Sequence, residues 1–181
     1  MTLALILSFT ALAVLTIITY NSFIVLKNKI DEAFSTMDIY LKKRYDLVPN
    51  LVETVKGYAA HERETLERVV QARNMAISSR DLSERQQNED ILSGTLKSLL
   101  ALSENYPQLK ADGGFTQLQM QLRQLEDDIA QSRKYYNAIV KAYNTRVEMF
   151  PSNVVALAMG FGKYQYFMAD EYERQNVQVR F

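Results

Sequence analysis

The chain has 181 residues, 48% of them apolar, with 21 basic side chains set against 21 acidic ones and no formal net charge. That length suits a single domain. The absence of cysteine excludes disulfides and thiolate metal sites, and one histidine excludes histidine-rich ones. A neutral balance also argues against a nucleic-acid binder, which carries a basic excess. The charges are unevenly placed, however, because every one of them lies after Leu26.

Residues 1–26 read as a transmembrane anchor. After Thr2, the polar interruptions are Ser8, Thr10, Thr16, Thr19, Asn21 and Ser22. About 20 apolar residues in a helix cross the hydrocarbon layer. Ser and Thr are tolerated there because they bond back to their own helix. Tyr20 and Phe23 sit at the exit, where aromatic side chains favour the membrane interface, and Lys27 and Lys29 come next as cationic anchors. A cleaved signal peptide is the rival reading. It needs a basic start, a shorter apolar stretch and a small-residue cleavage site at its end; here the start has no Lys or Arg, the stretch is too long, and no Ala-x-Ala ends it. Lys27, Lys29, Lys42, Lys43 and Arg44 all lie on the carboxyl side of the anchor. By the positive-inside rule the amino terminus is expected outside and the rest of the chain in the cytoplasm.

Residues 27–150 show helical periodicity throughout and are expected to form a bundle. The first helix continues the anchor through Phe23, Leu26, Ile30, Ala33, Met37 and Leu41. Pro49 is expected to end it, with Asp46 as a cap for the next helix. The second helix, 50–76, carries Leu51, Val55, Tyr58, Leu66, Val69 and Ala76 on one stripe, with Glu62 and Arg73 as polar intruders. The polar run 78–88 reads as a loop. A third helix covers 89–106, with Ile91, Leu92, Leu96 and Leu99 inward, and Pro107 and Gly113–Gly114 end it.

The fourth helix, 115–150, is the clearest. Phe115, Leu118, Leu122, Leu125, Ile129, Ser132, Tyr136, Ile139, Tyr143, Val147 and Phe150 repeat at spacings of 3 and 4 until Pro151. Such a seam favours packing near +20°, as in four-helix bundles. Tyr136–Asn137 and Tyr143–Asn144 lie seven residues apart on one face. There the tyrosines are expected to fill the seam and the asparagines to face water or a neighbouring helix.

Residues 151–181 form an apolar, aromatic segment and tail. Lys163 is the single charge between Val154 and Met168, and the stretch is too short to span a membrane. It is expected to pack on the bundle, lie in the interface or meet another copy, with Phe161, Tyr164, Tyr166 and Phe167 as contact residues. The alternation in Val177–Phe181 would suit a short strand.

Taken in order, several motifs resemble the LemA family of bacterial membrane proteins. They are Arg44-Tyr45-Asp46-Leu47-Val48-Pro49-Asn50-Leu51-Val52-Glu53, Gly57-Tyr58-Ala59-Ala60-His61-Glu62, Glu104-Asn105-Tyr106-Pro107-Gln108-Leu109-Lys110, the two Tyr-Asn pairs, and Phe150-Pro151. The resemblance implies an antiparallel four-helix bundle on one membrane helix. It implies no defined activity and supplies no catalytic residues. Some magnetosome-associated relatives act in organelle biogenesis, and members are often encoded near membrane metalloproteases or TPM-domain proteins.

Metal chemistry finds little support in the motifs. His61-Glu62 begins a zincin-like pattern, but position 65 is Thr65. A di-iron centre needs Glu-x-x-His pairs, and Tyr58 stands three residues before the single histidine. Glu62, Arg73 and Arg133, with Arg44, are instead expected to form an internal polar cluster, since a buried carboxylate needs a partner. Lys42-Lys43-Arg44 reads as a solvated helix face rather than a lipid patch.

The resulting expectation is an all-α protein, an antiparallel four-helix bundle behind one N-terminal transmembrane helix. It is expected to act without catalysis or cofactor, as a scaffold that meets membrane lipid and further copies of itself. The alternative is an adaptor for a membrane protease or quality-control enzyme.

Overall fold

A computed structural model describes residues 1–167. The protein is all-α, with no strand among the described residues. Six helices succeed one another there: α1 (Thr2–Tyr58), α2 (Arg63–Ser78), α3 (Leu82–Leu102), the short α4 (Pro107–Lys110), α5 (Gly113–Glu148) and α6 (Ser152–Met159). A 3-10 turn, Ser103–Asn105, joins α3 to α4. The chain divides into two compact units. One comprises 1–37 and 132–166, the other 38–131 with Phe167. The division falls inside α1 and α5, so each of these helices lends a length to both units.

The second unit holds the larger apolar core. Val48, Leu51 and Val55 of α1, Leu66 and Val69 of α2, Leu92, Leu96 and Leu99 of α3, Leu109 of α4, and Phe115 and Leu122 of α5 are buried together. Each such side chain contributes about 1.5–3 kcal/mol by leaving water.

Pro49 does not end the first helix, as expected, but lies inside α1. Proline removes the hydrogen bond its residue would give to the carbonyl four residues back, here that of Tyr45. Arg73 Nε donates to that carbonyl at 2.7 Å. The acceptor that proline deprives therefore keeps a partner, and the presence of Arg73 on an apolar stripe has a physical reason.

The break comes ten residues later, at 59–62, and is pinned at both ends. Before it, the Tyr58 hydroxyl donates to Asp112 Oδ2 at 2.9 Å; at its last residue, Glu62 Oε1 accepts from the Tyr106 hydroxyl at 3.0 Å.

The expected loop at 78–88 is mostly helix. Asp81 caps α3 by accepting from the Glu84 N–H at 2.8 Å, while Glu84 Oε2 accepts from the Arg80 N–H at 2.8 Å. This is close to the reciprocal capping box of helix starts. Asn88, buried, closes the end of α2 by donating to the Met75 carbonyl and Ser79 Oγ.

The seam of α5 also shifts along its length. Phe115, Leu122, Ile129, Ser132, Tyr136 and Tyr143 are buried as expected, but Val140 and Asn144, one residue after Ile139 and Tyr143, are buried too, while Ile139 and Val147 are half-buried and Phe150 is exposed. A straight helix drifts ~20° per heptad against a seven-residue repeat. By the fourth heptad the buried stripe has moved on by one residue.

Candidate functional site

In the second unit, the deepest polar group is Arg44 of α1, fully buried. Its guanidinium pairs with Glu89 of α3, also fully buried. It further donates to Glu126 of α5 at 2.7 Å and to Ser93 at 3.0 Å. The Tyr45 hydroxyl donates to the other oxygen of Glu89. Glu89 and Ser93 stand one helical turn apart, so a single face of α3 receives the arginine. Arg44 Nε is buried without a hydrogen-bond partner. Charge taken out of water is costly and is offset only by such close pairing.

The expected cluster of Glu62, Arg73 and Arg133 is dispersed. Glu62 takes Tyr106, and Arg73 takes the Tyr45 carbonyl. The eleven residues between them amount to ~16 Å of helix, too far for one site. Arg133 lies half-buried on α5 in the first unit. Arg44, which the sequence suggests as solvated or as a partner for Glu62, belongs to Glu89 instead. Lys42 and Lys43 are exposed, with the Lys43 ammonium 5.4 Å from the Tyr40 ring centre.

Hydrogen bonds to carboxylates hold two phenol protons in this unit. Tyr58 is pushed above its usual pKa by its bond to Asp112, and Tyr106 by its bond to Glu62. Asp112 is drawn below its usual range, first by the Phe115 N–H at 2.7 Å and then by Tyr58. Beside the 59–62 turn, a cleft of ≈ 550 Å³ opens between α1 and α2. Val52, Leu66 and Val70 form its apolar part, and Glu53, Lys56, Arg63 and Glu67 stand around them.

The first unit is built on aromatic side chains. Phe161 stacks on Phe23 at 4.7 Å between ring centres and tilts against Tyr20 at 5.7 Å. Phe23 also meets the edge of Tyr143 at 5.6 Å, and Tyr143 meets Tyr164 at 5.0 Å. Burial, then the neighbouring Tyr164, pushes the Tyr143 phenol up. Tyr136 is raised by burial first, then by Tyr164 and Asp31.

The segment 161–167 after α6 is gripped through its backbone. Asn144 donates to the Tyr164 carbonyl and accepts the Tyr164 N–H, both at 2.9 Å, while the Tyr136 hydroxyl donates to the Gln165 carbonyl at 3.1 Å. Asn144 thus serves neither water nor a neighbouring helix. Gly160, at φ 74°, makes the left-handed stop that lets the chain turn back from α6.

Several sequence expectations land elsewhere. Phe23, expected at the membrane interface, is fully buried under Phe161. Phe161 and Tyr164 pack within the chain, and Phe167 is buried, which leaves Tyr166 exposed. Tyr20, Lys27 and Lys29 are exposed at the exit of the apolar stretch. Met168 and the strand suggested for Val177–Phe181 lie outside the described residues.

The amino-terminal part of α1 is exposed along its length. It is apolar, with mean hydropathy 2.3 in its most hydrophobic stretch, and none of that stretch is buried. Ser8, Thr10, Thr16 and Thr19 each donate to the carbonyl four residues back, at 2.8–2.9 Å. Each of these hydroxyls is answered within the helix, as a lipid environment requires. The sequence pattern of the LemA family matches residues 33–181, nearly everything after this span. The chain belongs to the LemA family.

Named relatives agree. Protein LemA of Metamycoplasma hominis is 28% identical over 155 residues, which cover 83% of this chain and 69% of the relative. Magnetosome protein MamQ 2 of Paramagnetospirillum magneticum is 23% identical over 188 residues, 90% of this chain and 69% of that one. Magnetosome protein MamQ of Magnetospirillum gryphiswaldense is 21% identical with the same coverage. The LemA-family kinship and the apolar helix point together to a membrane location.

Proposed function

We propose that this LemA-family chain is a membrane-tethered scaffold that self-associates and organises other proteins at the membrane surface. The observation that carries this reading is α1 itself. One helix leads from the apolar span into the buried side chains Val48, Leu51 and Val55 without a break. The most deeply buried charges, Arg44 and Glu89, are engaged with each other. Kinship with Protein LemA and with proteins named for the magnetosome favours a role at a membrane. Lys27, Lys29, Lys42 and Lys43 favour a cytoplasmic placement for the chain beyond the span. A reporter fused after Phe181 is expected to be active only in the cytoplasm; activity only outside would reverse that orientation.

The test of scaffolding is the mass of the native complex in detergent, measured by light scattering together with crosslinking. Assemblies larger than one chain are expected, and a strict monomer would overturn self-association.

The cleft beside the 59–62 turn favours a second reading, an adaptor that holds a segment of a membrane protease or its substrate. An apolar floor among charges of both signs suits an amphipathic peptide. Crosslinking that recovers contacts with identical chains alone would remove this reading.

A further inference from the structure

The stretch from Met149 to Gly162 contains no charged residue, and α6 occupies most of it. Its two flanks are tied to a single turn of α1. Before α6, the Arg146 guanidinium donates to Ser22 Oγ; after it, Phe161 packs on Tyr20 and Phe23. That turn is where the apolar span ends, four residues short of Lys27, the first charge in the chain. Helix α6 is therefore held at the depth where α1 leaves the hydrocarbon.

Among the described residues, only one side of α6 packs against the protein. Ala156 faces inward and is buried, whereas Phe150 is 80% exposed, Val154 59% and Leu157 87%. A spacing of 3 puts Val154 and Leu157 on one face of the helix, and Phe150 lies ahead of it, before Pro151. Glu148 and Lys163, the nearest charges on either side of the uncharged stretch, pair with each other. No lone carboxylate is left facing an anionic lipid surface from this segment.

We propose that α6 is a second membrane contact, an interfacial helix that lays Val154 and Leu157 among the acyl chains beside α1, with the exposed Phe150 just ahead of it. Its occupant is lipid because this face continues an apolar surface already assigned to the bilayer. Short amphipathic helices of this kind sit about 5–10 Å into the headgroup and acyl boundary. The inference rests on α1 being the membrane span and is independent of scaffolding.

The chain has no cysteine, so one introduced thiol is a unique label site. Leu157→Cys, Leu12→Cys and Ile39→Cys, each in the full chain, are nitroxide-labelled in phosphatidylcholine–phosphatidylglycerol vesicles. Collision rates are then read with oxygen, which concentrates in lipid, and with a nickel chelate, which stays in water. Leu12 lies within the span, and Ile39 is an exposed residue of α1 some ~20 Å beyond Leu26. The label at 157 is expected to behave like that at 12, with oxygen access several-fold above nickel access and the reverse at 39. Nickel access at 157 equal to that at 39 would overturn the proposal. Protection from both reagents would also overturn it, in favour of a protein contact. Nickel access at 12 would instead remove the span itself. Leu157 is almost fully exposed, so its replacement leaves the fold intact.

Discussion

At the scale of single residues, the fold turns on a few polar groups set among apolar ones. Removing one partner of a buried ion pair strands the other. Arg44→Met alone is expected to cost roughly 3–5 kcal/mol, read by denaturant or thermal unfolding in detergent. Adding Glu89→Leu should recover most of that loss, because no buried charge then lacks a partner.

Arg73 offers a sharper test. If it compensates for Pro49 at the Tyr45 carbonyl, Arg73→Ala should cost about 1–3 kcal/mol. In a Pro49→Ala background, residue 49 regains its own N–H donor and the same change should cost about 1 kcal/mol less. A double-mutant cycle measures that coupling, and additive losses would refute the compensation. Arg44 itself is legible in the sequence. Met37, Leu41, Arg44, Val48, Leu51 and Val55 run at 4, 3, 4, 3 and 4, and all six are fully buried. Taking Pro49 as a stop cuts that run in two and hides the arginine. Glu89 falls three residues before Leu92 on the α3 stripe, but in the sequence it sits at the edge of a run polar enough to read as loop.

At the scale of elements, local caps explain where periodicity alone misplaces the ends. Asp81-Leu82-Ser83-Glu84 carries the capping pattern, yet the surrounding charge reads as loop. Asp81→Ala is expected to cost ~1 kcal/mol, a drop of about 2–4 °C in Tm for a chain of this size. The heptad seam of α5 is the clearest feature of the sequence, and its drift to Val140 and Asn144 comes from helical geometry rather than composition.

Asp112 links the start of α5 to the end of α1. Its carboxyl lies below its ordinary value of 3.8 in the folded chain. The stabilisation it gives is therefore complete above that value and is lost as pH falls through the lower folded one. Asp112→Asn should flatten the acid limb of a stability–pH profile below about pH 4, with little change in its slope near neutrality. An unaltered acid limb would show that the bonds to Phe115 and Tyr58 carry no pH dependence.

At the scale of the whole molecule, a net charge of zero averages two uncharged stretches and a densely charged remainder. Both uncharged stretches are visible in composition. Composition does not reveal that aromatic side chains bring their edges together, Phe161 against Tyr20 and Phe23. From sequence, Phe161 has three destinations, and only packing decides among them. The family match from residue 33 onward and the exposed apolar helix before it jointly predict retention in membranes. The chain should stay with the membrane fraction through high-salt and alkaline carbonate washes, read by blotting pellet and supernatant. Release by salt alone would mean a surface held by charge rather than by a span.

The grip on segment 161–167 has an evolutionary side. Asn144 and Tyr136 bond to main-chain atoms of Tyr164 and Gln165. The hold is therefore indifferent to what side chains Gln165 and Tyr166 carry, and both of these are exposed. Gln165→Ala and Tyr166→Ser should leave the melting temperature where it is, while Asn144→Ala lowers it. A lineage is thus free to rewrite the outward-facing letters of this segment, and whatever they contact, while the two residues that fasten it stay constant.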